Sequence, residues 1–198
     1  MRSEPADPDV CPPPALAAFV TDIALSLAVH RGRSAALVWP EHEPAGLLDT
    51  LAAAARTATG TVPAGVEADE LAGLLHTALG GGSDPVRAWY ATSPPTIPGE
   101  LAIPGEVLLV PLARGCDCRV TSAVRPPLRL RLRKGDVLYV PESSALDVVS
   151  RWPAPCPLLV LALPRRAGQP CAASSPSLIV SATSAVRAAS SAANRSAS

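Results

Sequence analysis

Aromatic side chains make up only 3% of this 198-residue chain: three Trp, two Tyr and one Phe. Surfaces that hold single-stranded nucleic acid stack bases on aromatics, so the scarcity argues against such a partner, and against sugars for the same reason. Histidine is also sparse, and His30, His42 and His76 all lie in the first half. Of 17 basic residues only Lys134 is lysine, and the formal net charge is zero. No long-range field therefore draws the chain toward nucleic acid or anionic lipid. The five cysteines are an odd number with no C-x-x-C pair and no framework spacing. That fits reduced thiols and a cytoplasmic setting.

Several motifs are missing too. No G-x-S-x-G elbow supports a serine nucleophile. No G-x-x-x-x-G-K-[ST] loop exists, and "GGGS" (Gly80 to Ser83) reads as a helix stop. The opening "MRSEPADPDVCPPP" is acidic and proline-rich, without the basic n-region of a signal peptide. The apolar run Ala15–Val29 is interrupted by Asp22 and is too short to span a bilayer. These features predict no membrane association.

What is present is apolar: 48% of the residues, enough for a real core. Residues 1–13 read as a disordered lead. Three helices are predicted in a segment spanning 14–82: "ALAAFVTDIALSLAV", "PAGLLDTLAAAART" and "EADELAGLLHTALGGG". The third is the clearest, with acids in its first turn, a glycine stop, and Leu71, Leu74, Leu75 and Leu79 on one face. "SAALVW" is a short apolar run with strand character.

After Gly82 the texture becomes β-rich. "VRAWYATS", "GEVLLVPLA", "CDCRVTSAV", "LRLRLR", "DVLYVP", "LDVVSRW" and "PLLVLALP" are separated by turn signals. Seven short strands at such spacing predict a sandwich or barrel over 83–166. "LRLRLR" alternates strictly, so Leu128, Leu130 and Leu132 are expected to face the core, and Arg129, Arg131 and Arg133 solvent. Residues 167–198 are rich in Ser and Ala and read as a disordered tail, with "SLIV" a candidate edge strand.

The run "LRLRLRKGDVLYVPESSALDV" resembles the second half of a cupin, or double-stranded β-helix, and within that family the JmjC-like branch of bacterial ribosomal-oxygenase type. Gly135 suits the tight turn, Leu138 and Val140 would point inward, and Pro141 would end the strand. The resemblance covers roughly residues 86–164. It implies an α+β fold: an N-terminal helical segment followed by a cupin-like antiparallel β-barrel.

The resemblance also implies a chemistry. Active members hold iron with two histidines and a carboxylate, leaving open positions for 2-oxoglutarate and oxygen. The last histidine falls five residues past the proline, which here is Leu146. Counting back from "GEVLLVPLARG" puts the His-x-Asp pair at Leu101 and Ile103. The lysine that grips 2-oxoglutarate falls at Asp117, whose charge has the wrong sign. Four departures together predict a metal-free site filled by side chains.

Substitute ligands are weakly supported. Asp147 adjoins Leu146 and would need a bulge to turn inward. Glu100 and Glu106 sit beside proline–glycine turns and are expected to be solvated. His76 is expected to cap helix carbonyls, and His30 and His42 to lie in solvated loops. Cys116 and Cys118 share a strand face and, with Cys156, read as small core residues rather than a zinc site. Ser143 and Ser144 lie at the barrel mouth with no histidine in sequence reach. Tyr139, Trp89 and Trp152 are expected in the core or a pocket wall. The arginines Arg129, Arg131 and Arg133 are a candidate surface contact for phosphates or an acidic partner, although a solvated strand face whose charges keep a sheet edge from pairing is the more economical reading.

The expected function is a non-catalytic binding or scaffolding module without a cofactor. Its partner would be a protein or small molecule, or a second copy in a cupin-type homodimer. One alternative is an Fe(II)/2-oxoglutarate-dependent oxygenase acting on a protein or small molecule. Another is a small-molecule sensor using the barrel pocket.

Overall fold

The computed structural model describes residues 13–57, 62–94, 99–101 and 105–165. The expected lead (all but Pro13), the expected tail and its "SLIV" run lie outside the described residues.

Three helices form where the periodicity predicts them. Helix α1 spans Pro14–His30, α2 Ala45–Thr57 and α3 Val66–Ala78. Proline at the first position of α1 leaves no amide donor unpaired there. Leu16, Phe19, Val20, Ile23 and Leu27 form its buried stripe. Helix α3 carries Glu67 and Asp69 in its first turn and buries Leu71 and Leu75, with Leu74 and Leu79 partly covered. His30 closes α1 rather than lying in a loop.

Ten strands follow among the described residues. They are β1 (Ala36–Val38), β2 (Val62–Pro63), β3 (Arg87–Ser93), β4 (Gly99–Leu101), β5 (Val107–Pro111), β6 (Gly115–Ser122), β7 (Arg125–Arg133), β8 (Val137–Val140), β9 (Ser144–Ser150) and β10 (Cys156–Ala162). They build a six-stranded sheet ordered β1-β8-β5-β10-β3-β2 and a four-stranded sheet ordered β4-β9-β6-β7. All the strand pairings are antiparallel. Two of the six strands, β1 and β2, come from the helical segment and edge that sheet. Among the described residues no helix is long and apolar enough to cross a membrane.

Burial explains the two textures of strand. Strand β5 is buried along its whole length because the six-stranded sheet is covered on both faces. Leu108 and Val110 meet the helices, and Val107 and Leu109 meet the other sheet. Strands covered on both faces read as continuous apolar runs. The outer strand β7 alternates instead. Only Leu132 is fully buried there, Leu130 is half-buried, and Leu128 is 40% exposed. The expected inward triplet is thus corrected at Leu128, which lies near the free end of an edge strand with little sheet opposite it.

The turn between β7 and β8 is set by three side chains or their absence. Gly135 has φ +82°, a conformation that side chains rarely tolerate. Asp136 accepts the Arg133 backbone N–H at 2.7 Å. Lys134 reaches Asp49 on α2 at 2.7 Å and Glu43 at 3.5 Å. Beside this turn, on β6 opposite Arg133, a Cβ on Gly115 would run into the Leu132 carbonyl.

Glu106 is the main surprise. It is buried, not solvated. Arg31 Nε donates to its Oε2 at 2.7 Å, and the Tyr139 hydroxyl donates to its Oε1 at 2.9 Å. The same hydroxyl accepts the Gly32 N–H at 2.7 Å. Arg31 also donates to the Pro164 carbonyl. The reason is positional: a turn glutamate directly before a strand covered on both faces has the helix end, not water, beside it. Trp152 is corrected in the opposite sense. It is half exposed, with the Arg114 guanidinium 5.4 Å from its ring centroid, a cation–π distance.

Removing the carboxylate leaves a poorly solvated guanidinium behind. Glu106→Leu should therefore lower unfolding free energy by about 3 kcal/mol, measured by urea titration; a loss within error of zero would show the pair to be dispensable. The Tyr139 phenol is pushed up to about 12 from its ordinary 10, first by burial and then by its bond to Glu106. A proton held more tightly in the folded state stabilises fully below pH 10, and this contribution fades as pH rises from 10 toward 12. Stability followed by denaturant melts should fall across that window, and Tyr139→Phe should flatten the fall.

Candidate functional site

The four-stranded sheet has two faces with different chemistry, separated by strand alternation. Its inner face meets the six-stranded sheet. Register carries one row across it: Leu101 on β4 lies opposite Leu146 on β9, Leu146 opposite Val120 on β6, and Val120 opposite Leu128 on β7. The next row runs Val148, Cys118, Leu130. Facing them from the other sheet are Leu109, Leu138, Val140, Leu158 and Val160. Leu138 and Val140 thus point inward, as their place after the glycine turn predicts. Trp89 shares this interior, and its Nε1–H finds no acceptor among the described residues.

Leu101 and Leu146 are buried and directly opposed. Ile103 lies outside the described residues. The pairing of β9 with β6 runs without a shift through Leu146 and Asp147. No bulge turns Asp147 inward, and it lines the outer face instead. Asp117 is also on the outer face, 3.7 Å from Arg131 and 3.6 Å from Arg151.

An iron centre of the type the resemblance implies needs lone pairs on three converging side chains and a cation for the cosubstrate carboxylate. Leucine offers no lone pair, and Asp117 points away from the interior. Among the described residues no three His, Cys, Asp or Glu side chains form a group able to hold a metal ion. The described residues do not fit iron and 2-oxoglutarate. His76 lies on α3 and accepts the Gly82 N–H through Nε2 at 3.3 Å; it caps an amide, not the expected carbonyls.

Three thiols lie in the inner core. Cys116 and Cys118 sulfurs are 3.7 Å apart, and the Cys156 thiol donates to the Ala113 carbonyl at 2.9 Å. All three are buried and free. The Cys116 thiol is pushed up by its bond to Cys118 and by burial, and Cys156 by its bond to Cys116 and by burial. Thiols held protonated are poor nucleophiles and poor metal ligands.

Two openings border the four-stranded sheet. A cavity of about 230 Å³ opens where the inner row reaches the sheet edge, at Val120 and Leu128, with Ser143, Ser144, Arg33 and Arg125 around it. A broader groove of about 500 Å³ lies on the outer face, between Arg119, Arg129 and Arg131 and over Asp117, Asp147 and Val149. Arg119 did not stand out in the sequence. Its signal was the alternation of "CDCRV", which puts Asp117 and Arg119 on one face, but its partner across the hairpin depends on register.

No family model matches the chain, and no curated protein matches it. Among solved structures, a prolyl-4-hydroxylase from Pseudomonas putida is similar over 77% of this chain and 96% of its own, at 19% identity and TM-score 0.50. Oxalate decarboxylase from Bacillus subtilis is similar over 38% of this chain, at 15% identity and TM-score 0.34. The chain spans 21% of that enzyme's length. The cupin domain of Drosophila melanogaster CENP-C is similar over 40% of this chain and 70% of its own, at 11% identity and TM-score 0.33. The chain has an α+β, cupin-like fold: two packed antiparallel sheets with N-terminal helices on one of them.

Filling the inner row has an energetic consequence. Leu146→Ala would leave a cavity in a tightly walled interior and should cost about 2–5 kcal/mol, seen as a lower denaturation midpoint. A loss well under 1 kcal/mol would mean the row is loosely packed.

Proposed function

We propose that this chain is a non-catalytic binding module on a cupin-like scaffold. The position that holds iron in the family it resembles is filled here by side chains. What supports this reading is one observation: Leu101 and Leu146, the two described residues at implied ligand positions, face each other inside an apolar core. Their inter-sheet space is used for packing, which small barrels and sandwiches do when they hold no ligand there. The likeness to a prolyl hydroxylase is one of fold, at 19% identity. A second reading is a small-molecule sensor. The cavity at Val120 and Leu128 favours it, having an apolar wall with Arg33 and Arg125 nearby.

The test is metal content after purification without chelator, then anaerobic iron titration with 2-oxoglutarate. Neither stoichiometric iron nor a cosubstrate charge-transfer band is expected, and chelator should leave the melting temperature unchanged. Stoichiometric iron with that band would overturn the reading in favour of an oxygenase. A compound that raises the melting temperature and loses its effect in Leu128→Trp would favour the sensor.

A further inference from the structure

The outer face of the four-stranded sheet carries a charge arrangement that folding alone does not explain. Asp117 lies opposite Arg131 and near Arg151, an ordinary opposite-charge set. One step along, Arg119 lies directly opposite Arg129. Like charges opposed across a strand pair destabilise a sheet. Neither guanidinium has an ion-pair partner among the described residues, although Asp147 is the register neighbour of Arg119 on the other side. Arg133 continues this face of β7 and is exposed, whereas Arg125, opposite Ser122 beyond the slip in pairing, lies on the side of Val120 and Leu128.

The arrangement depends on a register shift. Ser122 pairs with Arg125 at the hairpin end, but between Val120 and Ser122 the pairing slips by a residue. A bulge moves a whole strand's side chains relative to their partners. Here it brings the arginines of β7 opposite Asp117 and Arg119 rather than opposite inward-facing residues. The three helices pack on the other sheet, so this face is covered by no helix among the described residues.

The geometry points to a docking surface for an extended acidic peptide segment of a partner protein, with a carboxylate seated between Arg119 and Arg129. This rests on the reading of the chain as a binding module. Paired guanidinium groups suit carboxylates because their planar donors can bond both oxygens. From Arg129 to Arg133 the arginines on this face span about 14 Å at strand rise, longer than a small anion and within the reach of an extended peptide. Nucleic acid fits less well. The groove offers no aromatic for base stacking.

The test uses the full chain and a fluorescein-labelled peptide of alternating Glu and Thr, matched to the nine residues of β7, read by anisotropy. Saturable binding that weakens with salt is expected. Arg119→Gln with Arg129→Gln should weaken it at least tenfold, while the melting temperature stays equal or rises as the repulsion is relieved. Arg33→Gln, outside the groove, should bind like the unmodified protein. Absence of saturable binding, equal loss in Arg33→Gln, no loss in the double variant, or tighter binding of oligo-dT than of the peptide would each overturn the proposal. Iron uptake alongside peptide binding would sink the non-catalytic reading and leave the groove standing. No peptide binding and no iron would sink the groove alone.

Discussion

The carboxylate of Glu106 is buried where the last turn of α1, the start of β5, strand β8 and the chain after β10 converge. A buried charge is tolerable only when it is paired and hydrogen-bonded. Arg31 and Tyr139 provide that, and Gly32 adds an amide to the tyrosine oxygen. Each partner comes from a different element, so satisfying one carboxylate fixes the helix end against the sheet. The direction of β1, which begins a few residues after Gly32 and pairs with β8, follows from it. Apolar contacts hold the helices to the sheet, but they are non-directional; the polar cluster specifies how they are placed.

With that corner fixed, the two sheets enclose a single interior and fill it. The inner row from Leu101 to Leu128 crosses four strands, and the cysteines add small soft side chains at its neighbours. Such a row gives a cofactor nothing to hold. Polar side chains of the four-stranded sheet lie on its other face, where Asp117, Arg119, Arg129, Arg131 and Asp147 come together. The contrast between a dry inner face and a charged outer face comes from strict alternation on strands only one of whose faces is buried.

Much of this was legible from residues alone. The three helices follow from leucine spacing, and the seven main strands from apolar runs bounded by turn residues. The glycine turn at 135 and the inward Leu138 and Val140 were implied by the resemblance to the cupin pattern. Strands β2 and β4 were not legible, because two or three residues carry no periodicity. Leu128 and Trp152 were read as inward or packed, since alternation and size do not reveal where a sheet ends. Glu106 was read as solvated because a turn glutamate usually is.

The sequence by itself determined the helices, the longer strands with the alternation along each, and the lack of ligand-bearing side chains at positions 101 and 146. Those are local properties, set by periods of 3.6 and 2 and by side-chain chemistry. The tertiary structure alone decided which faces meet. It opposed Leu101 to Leu146, buried Glu106 against Arg31, and set Arg119 across from Arg129. The first and the last depend on strand register, the last also on a bulge, and the second on where the end of α1 meets β5; such relations between segments are contained in neither segment.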